Sequence, residues 1–249
     1  MSSITDTIAV IFNGGKGRRL SELTNGTLPK GFIQFNNKPL IAYQIEALKN
    51  AGVVSILIVL STTEDENYIR DYLSQNKYEG IEINTLIMEF TPINGYTSPY
   101  ISFKNPVIFD KIRDRNVLTI NSDSLFRSKD LVKVIEEGYQ KNSTVITLFQ
   151  KPAKNNPFDI VDNKVVNLKE DMFYDDSNIT GITYYRKEDL DNLKSIMMNV
   201  EKPHVHEAVK SLIENNRSIY ALWLSYYLNM NTLMEYNQAI EYINSNPIW

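Results

Sequence analysis

Between Ala9 and Leu40 the chain reads AVIFNGGKGRRLSELTNGTLPKGFIQFNNKPL, with Gly14, Gly15 and Gly17 directly after an apolar run and a set of cations behind them. From Thr7 to Ile45 five basic side chains (Lys16, Arg18, Arg19, Lys30, Lys38) stand against one acid, Glu22. That segment carries +4 in a protein of net charge −4, so the remainder sums to −8. Concentrated cations beside a glycine turn suit an anion, because backbone N–H groups unobstructed by Cβ atoms close on phosphate oxygens. The pattern predicts a polyphosphate cradle. It matches neither common phosphate fingerprint: G-x-x-x-x-G-K-[ST] is absent, and Gly15-x-Gly17 lacks the third glycine of the dinucleotide motif.

Asp123, behind the apolar run Val117–Ile120, is the leading candidate for a metal ligand, since Mg²⁺ takes one or two carboxylates together with phosphate oxygens and water. The competing role for Asp123 is a cap on the next helix, for which Ser128 is better placed. His204 and His206 lack a third ligand and read as a helix start rather than a zinc site. Tyr226 and Tyr227 read as packing residues of the core or an interface.

Positioning these groups requires a sheet whose strand ends gather them. The chain has 249 residues and is 43% hydrophobic, enough to bury a core as one domain, 1–249. Strand patterns at Thr7–Phe12, Val54–Leu60, Ile81–Met88, Asn116–Ile120 and Thr144–Gln150 alternate with helical patterns at Pro39–Asn50, Glu64–Gln75 and Ser128–Asn142. Short loops and right-handed crossovers make such a series an α/β, doubly wound, mostly parallel sheet. The second half adds an antiparallel element, a hairpin of Phe158–Val161 and Lys164–Leu168 turning at Asp162-Asn163. Strands at Ile179–Tyr185 and Ile219–Leu224 and helices at Val205–Asn215 and Leu233–Asn244 complete it. Ligands of open parallel sheets sit at strand carboxyl ends, where Gly14–Gly17 and Asp123 both fall.

Zero cysteines exclude disulfides and thiol catalysis. The run Ile8–Phe12 is too short for a signal-peptide core, and no stretch is long enough to span a bilayer. The expectation is a cytoplasmic protein without membrane or nucleic-acid partners, the acidic balance opposing a nucleic-acid surface.

Gly14-Gly15-Lys16-Gly17-Arg18-Arg19-Leu20, then Pro29-Lys30, then Lys38-Pro39-Leu40-Ile41 resemble the G-G-x-G-T-R-L, P-K and K-P-L-I signature of the sugar-phosphate nucleotidyltransferases. Asn121-Ser122-Asp123-Ser124-Leu125 is similar to that family's N-G-D-S-L strand end, and Gly95 falls in a segment similar to its base-contacting loop. Lys169-Glu170 resembles the approach to its E-K-P motif, Asn178-Ile179-Thr180-Gly181 its N-x-G-I strand, and Asn229-Met230-Asn231-Thr232 its closing motif.

The resemblance implies a Rossmann-like nucleotide-diphospho-sugar transferase fold with a nucleotide-binding half at 1–126 and an acceptor-binding half at 127–249, and attack by a sugar 1-phosphate, or similar phosphorylated alcohol, on the α-phosphorus of an NTP, with Mg²⁺ as cofactor. Arg19, Lys30 and Asp123 are then catalytic, with Arg19 over the β- and γ-phosphates and Lys30 at the α-phosphate. Gly14, Gly15, Gly17, Arg18, Gly95 and Ser122 bind the nucleotide; Lys169, Glu170 and Gly181 bind the acceptor; Asp123, Asn229 and Asn231 hold the metal. Truncating Lys30 is expected to spare folding and cost turnover, and a homo-oligomer is an expectation carried by the relatives. The chain departs from the pattern where Asn13 replaces Ala, Gly31 replaces Pro and Asp171 replaces the acceptor lysine. Two other readings are a glycosyltransferase of related fold, with Asn121-Ser122-Asp123 as a relic metal motif, and a non-catalytic nucleotide-binding paralogue.

Overall fold

The computed structural model describes residues 2–14, 20–24, 28–88, 98–149, 156–169 and 178–245. The elements that build the sheet and its covers are β1 (Thr7–Asn13), α1 (Leu40–Asn50), β2 (Ser55–Leu60), α2 (Thr63–Gln75), β3 (Glu82–Ile87), α3 (Pro106–Ile112) and β4 (Asn116–Asn121). A three-strand-residue segment β5 (Ser124–Phe126), α4 (Ser128–Gln140), β6 (Thr144–Leu148) and the hairpin β7 (Phe158–Val161) and β8 (Lys164–Leu168) follow. Then come β9 (Ile179–Tyr185), α5 (Leu190–Asn199), α6 (Val205–Glu214), β10 (Ile219–Trp223), β11 (Tyr227–Asn229) and α7 (Leu233–Ser245).

A nine-stranded sheet runs in the order β3-β2-β1-β4-β9-β6-β10-β8-β7. Its first four strands are parallel to one another, and β6 and β10 are parallel. β9 lies antiparallel between β4 and β6, and the β7–β8 hairpin closes one edge. The sheet is therefore mixed, with most strands pointing one way and the antiparallel addition in the second half, as the sequence pattern predicts. Asp162 and Asn163 turn the hairpin with φ of 49° and 62°, the left-handed pair that matches strand twist.

Side chains alternate across the sheet. Ala9, Ile11, Ile56, Ile58, Leu118 and Ile120 meet α1, α2 and α4 on one face. Val10, Phe12, Leu57, Val59, Val117 and Ile146 meet α3, α5 and α6 on the other. A third cluster, with Ile33, Phe35, Leu40, Leu125, Met230 and Ala239, lies under α7. It joins the chain around Lys30 to the closing motif, two regions that both carry site residues.

Ser128 does not cap α4: it is the first helical residue, the cap position falls to Arg127, and no side chain bonds there. No helix among the described residues is long and apolar enough to cross a membrane.

Candidate active site

β1 and β4 are neighbours in register, with Phe12 opposite Asn121, so Gly14 and the turn bearing Asp123 emerge at adjacent carboxyl ends. Ser122 N–H donates to the Phe12 carbonyl at 3.2 Å, which ties the two ends together. The Asp123 turn is held from three sides. β5 pairs with β11, placing Ser124 opposite Asn229, and Met230 N–H donates to the Asp123 carbonyl at 2.8 Å. From α1, the buried Gln44 Nε2 donates to the carbonyls of Asn121 at 3.0 Å and Ser124 at 2.8 Å. The closing motif is set by a reciprocal cap: Glu235 N–H donates to Thr232 Oγ1, while Thr232 N–H and Asn231 N–H donate to Glu235 Oε2.

Lys30 lies on a short 3₁₀ turn, Lys30–Phe32, entered through Pro29. Its ammonium donates to Asp123 Oδ2 at 2.9 Å and to Asn231 Oδ1 at 2.5 Å. Three residues singled out in the sequence thus converge on one point, and each comes from a different segment. Asp123 is not a helix cap. Its other oxygen, Oδ1, is buried and has no partner among the described residues, and the same holds for Asn229 Oδ1. Buried polar atoms in folded proteins are normally paired, so an orphaned carboxylate oxygen and an orphaned amide oxygen on neighbouring segments mark a place for a ligand. Hard oxygens from one carboxylate and amides are the donor set that suits Mg²⁺ with phosphate and water completing the shell, so the residues fit that ion.

Beside this cluster a cavity of about 110 Å³ is lined by Tyr100, Asn121, Gly181, His204, Tyr227 and Asn229, among others, and among the described residues no lysine, arginine or carboxylate lines it. Gly181 sits at a register irregularity in β9, and a Cβ there would lie 2.6 Å from the Asn121 side chain. Its N–H donates to Tyr227 Oη at 2.9 Å, and that hydroxyl also pairs with Ser124 Oγ at 3.0 Å. Burial, with the Asp123 charge second, raises the Tyr227 pKa, so the phenol stays protonated. Tyr227 is therefore both buried packing and cavity wall. Tyr226 stacks on Tyr242 instead.

His204 caps α6, accepting from His206 N–H at 3.4 Å, as the reading of a helix start predicts. It also lines the cavity, a role nothing in its sequence context signalled. His206 Nδ1 lies 2.6 Å from His204 Nδ1, and burial, with His204 second, pushes the His206 pKa down to about 3. Both contacts are met if His206 carries its proton on Nδ1 and donates it.

Lys169 turns to Asp159 Oδ1 at 3.6 Å and the Asn156 carbonyl at 3.3 Å, and it is not among the cavity residues. Gly15, Gly17, Arg18, Arg19, Gly95, Glu170 and Asp171 lie outside the described residues.

Residues 8–241 match the family model for nucleotidyl transferase. The chain belongs to the nucleotidyl transferase family. Within that family, it is 31% identical over 148 residues to the mannose-1-phosphate guanylyltransferase catalytic subunit beta of Danio rerio, covering 59% of this chain and 39% of that protein. It is 27% identical over 205 residues to a low-salt glycan biosynthesis nucleotidyltransferase of Haloferax volcanii, covering 82% of this chain and 51% of the relative. The chain thus spans about half or less of the length of these nucleotidyl transferases. An apo UDP-glucose pyrophosphorylase structure superposes with a TM-score of 0.76 at 13% identity, covering 97% of this chain and 99% of the other, a likeness of fold.

Proposed function

We propose that this nucleotidyl transferase joins an NTP to a sugar 1-phosphate or a similar phosphorylated alcohol and releases pyrophosphate. The observation that carries the reading is the convergence of Lys30, Asp123 and Asn231 at the carboxyl ends of β1 and β4, beside the cavity.

An oxygen of the acceptor phosphate attacks the α-phosphorus, forming a P–O bond. The bond to the bridging oxygen breaks, and pyrophosphate leaves with the electron pair. Such a reaction asks the protein for alignment and for positive charge where oxygens gain negative charge, not for a protein nucleophile. Lys30 supplies a cation that reaches the α-phosphate once a nucleotide draws it from its carboxylate partner. Arg19, known from the sequence pattern alone, is assigned to the β- and γ-phosphates, where its planar fork holds two oxygens. Asp123, with Asn229 and Asn231, would hold Mg²⁺, which when bound neutralises phosphate charge. The cavity wall, uncharged among the described residues, receives the non-phosphate part of the acceptor, with Gly181, Tyr227 and His204 around it.

NTP labelled at the β- and γ-phosphates tests the reading. Labelled pyrophosphate, formed only when a phosphorylated acceptor is present, supports it. Labelled inorganic phosphate alone, or release independent of acceptor, refutes it.

A further inference from the structure

Two of the departures from the family pattern, Asn13 and Gly31, touch each other. Asn13 is the last residue of β1 and is fully buried. Its Oδ1 accepts from Gly31 N–H at 3.2 Å. A Cβ on Gly31 would stand 2.5 Å from that same Oδ1 and 3.0 Å from Asn13 Cγ. Real Cβ atoms do not approach so closely, so a side chain at position 31 would force that of Asn13 to move off the Gly31 N–H.

We propose that Asn13 is a positioning residue for Lys30, acting through Gly31, and that the two form one coupled unit. This rests on the role assigned to Lys30 above. The Gly31 N–H belongs to the peptide plane that joins Lys30 to Gly31. A hydrogen bond from the end of the central strand to that N–H fixes the plane, and with it the direction in which the Lys30 side chain leaves the backbone. The carbonyl side of the same peptide is held by Ile33 N–H, which donates to the Lys30 carbonyl at 3.1 Å, so Asn13 supplies the second anchor of the plane, on its N–H side. Asn13 also carries a cost: its Nδ2 is buried and has no partner among the described residues. A small apolar residue would avoid that orphan donor, so position 13 is not chosen for folding alone.

Wild type, N13A, G31A and N13A/G31A decide the matter by three readouts: steady-state kinetics, melting temperature, and acetic anhydride labelling of Lys30 followed by mass spectrometry. Displacing a reacting group by about 1 Å costs on the order of 10²-fold. N13A is therefore expected to lower kcat by roughly 10- to 100-fold with the NTP KM little changed, the mark of an interaction made in the transition state. Lys30 labelling rises in the same variant. G31A is impaired at least as much, and N13A/G31A resembles N13A, because the clash that G31A creates disappears with the asparagine. Independent effects that multiply in the double variant overturn the coupling. A lowered melting temperature in N13A with kcat and Lys30 labelling unchanged overturns the positioning role. If the wild type shows no turnover, the functional reading fails, while labelling and melting still decide the coupling.

Discussion

Replacing Lys30 by methionine keeps the stem and removes the charge, and the structure fixes what that should do. The ammonium is 2.9 Å from Asp123 Oδ2, and each side chain is 17% exposed. At an effective dielectric of about 20, unit charges 4 Å apart attract by about 4 kcal/mol, most of which is offset by desolvation. Breaking a buried pair costs about 3–5 kcal/mol, whereas exposed pairs contribute about 0–1 kcal/mol. A pair this shielded lies between, so K30M should lose about 1–3 kcal/mol of stability. For a chain of this size that is a fall of roughly 2–10 °C in Tm. The expectation that truncating Lys30 spares folding is thus revised, because the ammonium is the partner of a carboxylate that has little else to pair with. Turnover should fall by about 10²–10³, the usual loss for one well-placed oxyanion donor. The assays are urea denaturation and pyrophosphate release for K30M, D123N and the double variant. Removing both partners should cost less than the sum of the single losses, by about 1 kcal/mol or more. Additive stability losses refute the pairing; a K30M protein with most of its activity refutes the catalytic role.

Three other outcomes follow from the same geometry. Q44L removes the donor that serves the Asn121 and Ser124 carbonyls and should cost about 2–4 kcal/mol in denaturation, with lowered turnover because the Asp123 turn loses its brace. G181A forces a Cβ against Asn121 and should destabilise by about 1–3 kcal/mol, with a raised KM for the acceptor in kinetic assays. His206 is neutral when folded, with a pKa held down to about 3 by burial, while the unfolded chain binds a proton at about 6.5. Its contribution is therefore complete above pH 6.5 and is lost as pH falls toward 3, at about 1.4 kcal/mol per unit. H206N should flatten the stability curve between pH 6 and 4 in urea melts; an unchanged slope would contradict the assignment.

Most of the fold was legible because long periodic segments carry their own signal. The buried run at β1, the alternation of strands with helices and the Asp162-Asn163 turn all occur where the sequence places them. β5 and β11 were not legible: each has three residues, too few for any period, and they exist because they pair with one another. α3 and α5 form where the sequence pattern predicts no helix, although in α5 Leu190, Leu193 and Met197 stand at helical spacing and are buried together. Lys30, Asp123 and Asn231 were each named from local motifs. That they touch was not visible, since Lys30 is 93 residues from Asp123 and 201 from Asn231. Gln44 gave no signal at all, because a glutamine in an amphipathic helix reads as surface until the turn it braces is folded against it.

The central claim is tested most directly by pyrophosphate release with Mg²⁺, crossing five NTPs with a panel of sugar 1-phosphates and other phosphorylated alcohols, with D123A as the control. The account predicts release that requires both one NTP and one acceptor and that disappears in D123A. Saturable NTP binding with no release across the panel, or release that D123A leaves intact, would contradict it.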